Sequence, residues 1–459
     1  MNTRFLIRTI LLSASLTAVS AGAADLRDVY ERALTSDPLI READANRLAA
    51  RESRPQAIAA LLPQIAASGR YNDEERDSSG AFVEPGSPPT PEVRDSDGNS
   101  SAWDVTLRQN IFRWQNWATL RRASAQTAQA EADYSAAQQD LILRTSDAYF
   151  NVLAAQDTLE AAVAAHDAIG RQLEQSDKRF EVGLIAVTDV QEAKAAFDSA
   201  TAALIQAKRN LATAQERLRE LTGETFDVLE KPGAEMPLTG PNPASPEDWV
   251  QLAMQQNARL ISSRLAADIT RADIGFERGG HFPTLDVVVS RSHFDSEATI
   301  SGSSAGDIDS DSEDTVVSLQ VTVPIFSGGA TRSRVRQAQF LNIAARERLE
   351  RTARETEREA RDAYLGVNSE VARVQSLRQA VESAMTALQA TEAGYEVGTR
   401  TSVDVLEARR RLFEAQTNYA RSRYDYLLNV LRLQLAAGTL DRQGLEEINA
   451  LLTETVQVR

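Results

Sequence analysis

Asp404 and Glu407 stand three residues apart in a stretch with a helical apolar period, so both carboxylates project from one helix face. Such a pair favours cations and repels anions, and no nucleophile and base accompany it to make an enzyme; catalysis is not expected. His166, His281 and His293 lack metal-ligand spacing, so neither a metal nor a cofactor is expected. Gly328-Gly329 lacks a phosphate-loop pattern and reads as a turn. Thr401 precedes Asp404 in a Thr-x-x-Asp box, which assigns Asp404 a capping role at a helix N-terminus. Taken singly, Glu407 reads as a solvated helix charge, Arg400 as a surface turn residue and Tyr395 as the end of an apolar seam.

The element that positions these residues occurs twice. The stretch from Arg179 to Val190, Arg-Phe-Glu-Val-Gly-Leu-Ile-Ala-Val-Thr-Asp-Val, returns 215 positions later from Gly394 to Val405 as Gly-Tyr-Glu-Val-Gly-Thr-Arg-Thr-Ser-Val-Asp-Val. In each copy a helical pattern runs into Glu-Val-Gly, a stop signal because glycine takes the left-handed position after a helix at no Cβ cost. An apolar period restarts near Asp189 and Asp404, as at a helix start. Each copy therefore reads as the bend of a long helical hairpin, with tips near 183 and 398.

The arms of these hairpins carry heptad seams. Val190, Ala193, Phe197, Ala200, Leu204, Ala207, Leu211, Ala214 and Leu218 alternate steps of three and four, and the same offset of 215 leads from Val405 through Leu412 to Leu433. A second pair of seams precedes the bends, from Leu141 to Leu173 and from Ala363 to Tyr395. Helices of roughly 55 to 60 residues would be about 85 Å long, far beyond the need of an ordinary globular domain.

The rest of the chain frames these rods. Residues 1–23 read as a secretory signal, with Arg4 and Arg8 ahead of a short apolar core and Ala21-Gly22-Ala23 as the cleavage site, Ala24 being the alternative. The chain of 459 residues has no cysteine, which removes disulfides, thiolate chemistry and a lipid-bearing N-terminal Cys, and its formal charge of −16 argues against nucleic acid. Each half begins with helix, passes a proline and enters extended sequence. The first half, 24–235, has a strand pair at about 64–71 and 101–112; the second, 247–440, has one at about 284–294 and 314–326. A proline-rich linker, 236–246, separates them, and 441–459 closes the chain with a short helix. Trp103, Val105, Leu107 and Ile111 alternate with polar residues, as do Val317, Leu319, Val321, Val323 and Ile325, giving one apolar and one wet face. The polar stretches between partners, 72–100 and 295–314, read as long loops.

Strands of about ten residues can cross a bilayer when tilted, but four cannot close a barrel, and an open edge in lipid leaves backbone groups unsatisfied. If they enter a membrane the chain must oligomerise; the alternative is two soluble hairpins capping a helical bundle.

The stretches Val182 to Gln191, His281 to Asp286, Pro324 to Gly329 and Tyr395 to Leu406, in this order over nearly all of the mature chain, resemble the TolC-like outer-membrane efflux and type I secretion channel family. The resemblance implies a mainly α fold with a small β part, built from two internal repeats. It implies a homotrimer in which four strands per chain form one twelve-stranded barrel in outer-membrane lipid, continued across the periplasm by an α-barrel of coiled-coil helices. It further implies that Tyr395 and Arg400 lock to Asp189 and Thr188 at the periplasmic entrance, and that Asp404 and Glu407 line it as a carboxylate ring. In the family's best-known member the second carboxylate is Asp; Glu407 keeps the charge on a longer arm. Gly183, Leu184, Gly398 and Thr399 would face a periplasmic adaptor joined to an inner-membrane pump of the RND, ABC or MFS type. The function implied is a passive export duct with a gated entrance, against the alternative of a soluble periplasmic coiled-coil scaffold or adaptor.

Overall fold

The computed structural model describes residues 23–82, 86, 90–302 and 306–458. The signal segment, but for Ala23, lies outside the described residues. Three short helices open the chain: α1 (Leu26–Ser36), α2 (Pro38–Arg51) and α3 (Ser53–Ala59). Asp37, between the first two, takes the extended backbone that a following proline demands, and its carboxylate caps α2 through the Leu39 N–H. The hairpin β1 (Gln64–Phe82) and β2 (Thr90–Phe112) follows, then the hairpin of α4 (Trp114–Glu181) and α5 (Val187–Thr222). After β3 (Val228–Pro232) the order repeats: α6 (Pro246–Gln256), α7 (Ala258–Arg278), β4 (Thr284–Gly302), β5 (Gly306–Thr322), α8 (Ala330–Glu396) and α9 (Ser402–Ala437). The chain ends with α10 (Arg442–Asn449) and β6 (Leu452–Gln457).

The two hairpins match closely in length: α4 has 68 residues and α8 has 67, while α5 and α9 have 36 each. At about 1.5 Å per residue the long arms reach about 100 Å. The hydrophobic core sits where the short elements wrap these arms. There Tyr149, Phe150, Leu153, Leu427 and Leu431 are fully buried. The Tyr149 hydroxyl, pushed well above its ordinary pKa by burial, donates to the Glu230 carbonyl at 2.6 Å and accepts the Glu230 N–H at 3.0 Å, tying β3 to α4. A small sheet of β3 with β6 completes this waist. Neither strand stood out in the sequence, β3 lying just ahead of the proline-rich linker and β6 in the short terminal segment.

Four strands form one antiparallel sheet in the order β1-β2-β4-β5. They run to 19, 23, 19 and 17 residues, about twice what a tilted bilayer crossing needs. The polar stretches expected to be loops are therefore largely strand. A hairpin already in register continues pairing its backbones whatever the side chains, so the ladder outruns the apolar pattern that reveals it. At the other end the strand expected to reach 326 stops at Thr322, because Pro324 cannot donate to a ladder.

The pleat keeps one alternation along this whole length. Near the helices the odd positions are apolar: Ile65 faces Leu107, Leu107 faces Val289 and Val289 faces Val317. Farther out the same face turns acidic, with Asp77 opposite Asp95, Glu75 opposite Asp97, Asp295 opposite Asp311 and Glu297 opposite Asp309. Between the two zones lies a belt in which the Trp103 ring lies tilted against His293, centroids 6.0 Å apart, His293 meets Asp311 at 3.4 Å and Arg291 pairs with Glu313. Among the described residues no helix is long and apolar enough to cross a membrane.

Candidate functional site

Both bends close as the glycines predict. Gly183 has φ +75° and donates to the Phe180 carbonyl at 2.8 Å; Gly398 has φ +80° and donates to the Tyr395 carbonyl at 3.1 Å. The following residues, Leu184 and Thr399, reach back to Arg179 and Gly394 at 2.9 and 2.8 Å, completing the same turn in each copy. Gly183, Leu184, Gly398 and Thr399 are all exposed at the extreme ends of the rods.

At the start of α9 the capping box is complete. Asp404 Oδ2 accepts from the Thr401 N–H and hydroxyl, both at 2.9 Å, and the Asp404 N–H donates to Thr401 Oγ1 at 3.2 Å. The Thr401 backbone donor, then its hydroxyl and the nearby Arg400 charge, hold the Asp404 carboxyl below the usual carboxylate range. Glu407 also titrates low, chiefly because Arg410 donates to it at 2.6 and 3.0 Å, with Arg411 adding a contact at 3.2 Å. Arg410 also reaches Glu414 at 2.6 Å. Both carboxylates are thus ionised at neutral pH, but Glu407 shares its charge with two arginines.

The expected lock residues are placed at one end of the molecule without being joined inside one chain. Among the described residues no hydrogen bond or ion pair connects Tyr395 or Arg400 to Asp189 or Thr188. Thr188 and Arg400 are exposed, Asp189 half-buried. Tyr395 lies under the Arg179 guanidinium, 4.9 Å from ring centre to cation, and its buried hydroxyl has no partner.

Sequence reasoning missed the run Arg409-Arg410-Arg411. Successive residues on a helix diverge by about 100°, so three adjacent cations address three neighbourhoods. Arg409 turns inward, where it is 20% exposed, and grips Glu392 of α8 through Nη2 at 2.8 Å and Nε at 3.2 Å. Its Nη1 donates at 3.0 Å to the carbonyl of Ala168 in the outer hairpin. The signal was available in the triplet beside an acidic pair. Which cation turns inward was not.

A cavity of about 870 Å³ runs between α4, α5 and α9, floored by alanines such as Ala162, Ala196 and Ala203 and edged by Glu407, Arg410 and Glu414.

The profile of a family described as outer membrane efflux protein matches residues 29–224 and 249–439. The chain is 36% identical to the outer membrane protein TolC of Vibrio cholerae, covering 96% of this chain and 97% of that protein. It is 30% identical to the alkaline protease secretion protein AprF of Pseudomonas aeruginosa, over 94% and 88% of the two chains. Its fold matches the crystal structure of the Campylobacter jejuni CmeC outer membrane channel with a TM-score of 0.72 at 17% identity, covering 99% of this chain and 98% of that one.

Proposed function

The chain belongs to the outer membrane efflux protein family and is an export duct of the outer membrane reaching into the periplasm, and from that premise we propose how its parts conduct and close. The duct is a homotrimer whose three four-stranded sheets join as one twelve-stranded barrel. One observation carries this reading: the sheet is apolar on one face near the helices, yet its edge strands β1 and β5 each have a single partner among the described residues. In lipid such edges cost several kcal/mol for each unsatisfied backbone group, and closure across chains removes them. The zone from Ile65 to Tyr71, with its partners Ser101 to Leu107, occupies the hydrocarbon and its boundary; the acidic outer reaches of the strands project beyond it.

The long helices continue the duct to tips formed by both bends. There Asp404 and Glu407 of three chains surround the opening, and the Arg410 beside each Glu407 tempers the ring's preference for cations. Among the described residues Arg400 and Asp189 have no ion pair within one chain, so the lock they form with Tyr395 and Thr188 spans neighbouring chains. Docking of a periplasmic adaptor, coupled to an inner-membrane pump of the RND, ABC or MFS type, on the exposed turns at Gly183-Leu184 and Gly398-Thr399 shifts the tips outward. A soluble periplasmic scaffold, the alternative open in the sequence, gives way to the family assignment.

Planar-bilayer recording tests this reading. The wild-type protein should give a small conductance, and a Tyr395→Phe, Arg400→Ser double variant one several-fold larger. Folded oligomers that form no channel in either case would refute the duct; equal conductances would move the gate elsewhere.

A further inference from the structure

The two hairpins meet along a stripe of α4 that grows more polar toward the tip. Ala168, Gln172, Ser176 and Arg179 are spaced by four, four and three, so they share one helix face. Contacts at its two ends identify what that face meets: Ala168 accepts from Arg409 of α9, and Arg179 covers Tyr395 of α8. The opposite side of α4 belongs to α5, where His166 packs on Phe197 at 4.8 Å. The stripe therefore faces the inner hairpin.

Its middle is poorly satisfied. Gln172 and Ser176 are buried, but Gln172 Nε2 and Ser176 Oγ have no hydrogen-bond partner, and neither has the Tyr395 hydroxyl. Water reaching an opened seam would satisfy Gln172 and Ser176, so these two groups favour separation. What opposes separation at this level is Arg409. It is held from both sides, in a fork with Glu392 of its own hairpin and on the Ala168 carbonyl of the other. Beyond Ala168, 13 residues of α4 continue to Glu181, about 20 Å of helix that meets the inner hairpin again through Arg179 over Tyr395.

We propose that Arg409 is the tie that holds the inner hairpin against the outer hairpin within one chain, a positioning residue acting above the inter-chain lock at the tips. The proposal rests on the gated-duct reading. Arg409 spans three helices, and a lysine could not reproduce it because one ammonium lacks the planar fork that serves a carboxylate and a carbonyl together.

Three variants test it: Arg409→Gln, Glu392→Gln, and the exchange Arg409→Glu with Glu392→Arg. The exchange rebuilds the ion pair between α8 and α9 but takes the donor away from Ala168. Arg409→Gln should raise single-channel conductance several-fold, and the exchange should stay as high. Glu392→Gln, which keeps the Ala168 contact, should raise it less. Oligomers that survive heating like the wild type show that folding is intact. Amide hydrogen exchange in α4 beyond Ala168 should quicken several-fold in Arg409→Gln, a readout that needs no channel. An exchange variant with wild-type conductance would confine Arg409 to its own hairpin and overturn the proposal. So would unchanged hydrogen exchange in Arg409→Gln. If the wild type conducts nothing while the exchange rates still respond, the duct fails and the tie stands.

Discussion

The waist and the tips of this molecule are built from the same four helices and behave as opposites. At the waist α4 and α9 bury Tyr149, Phe150, Leu427 and Leu431 under α1, α10 and the β3–β6 sheet. Toward the tips no short element covers the rods. The buried positions become mostly small or polar, Gln172, Ser176, Ala193 and Ser402, with Val405 and Leu412 the larger apolar ones, and they release less apolar area than the waist. The core cluster ends at Leu159 on α4 and Val374 on α8, and near that level Tyr424 donates to Asp157 at 2.6 Å. Below it the contacts between the hairpins include Arg409 on the Ala168 carbonyl and Arg179 over Tyr395. Such a design gives a fixed ring and a movable end, because interfaces with few apolar contacts separate at small cost while packed cores do not.

The sharpest way to break the contrast is to hollow out the waist. Leu427→Ala or Leu431→Ala should lower stability by about 2–5 kcal/mol through lost burial and a residual cavity. The loss should appear as a marked drop in the thermal dissociation temperature. The same change at a tip position such as Val403, 45% exposed, should barely register. Tyr424→Phe comes next. Burial already pushes the Asp157 carboxyl above its ordinary range, and the tyrosine donor is the main group lowering it. Removing that donor should cost about 1–3 kcal/mol. The sign follows from linkage: with the folded pKa raised above the unfolded one, stability falls as pH rises between the two values. Acid should therefore narrow the gap between variant and wild type, as denaturation at pH 5 and pH 8 would show.

The smallest effect belongs to the tips alone. Arg410→Gln should free Glu407 from its partner and raise the cation-to-anion permeability ratio about twofold, read from reversal potentials in a salt gradient, without moving the melting temperature. Because both carboxylates titrate low, wild-type selectivity should persist through the pH range where an ordinary carboxylate protonates and weaken only at more acid pH. An Arg410→Gln variant that melts earlier would show that the tip contributes to global stability as the waist does.

Much of this architecture was legible in the chain because it is periodic. The 215-residue offset, the Glu-Val-Gly stops and the heptad seams placed both bends, and the Thr401–Asp404 box formed as its spacing required. The apolar alternation located each hairpin near the helices and failed farther out. Between 72 and 100 the ladder is held by backbone pairing that polar side chains neither require nor advertise.

Local patterning by itself determined the helices, the tight turns and the glycines at positive φ, since propensity, capping and period act over a few residues. Only tertiary structure decided that β3 and β6 pair across the chain, that Asp157 meets Tyr424, and that one arginine of three turns inward to grip Glu392 and Ala168. Those pairings join residues between 17 and 267 positions apart. Their partners are chosen by how the rods pack, and no short-range pattern encodes that distance.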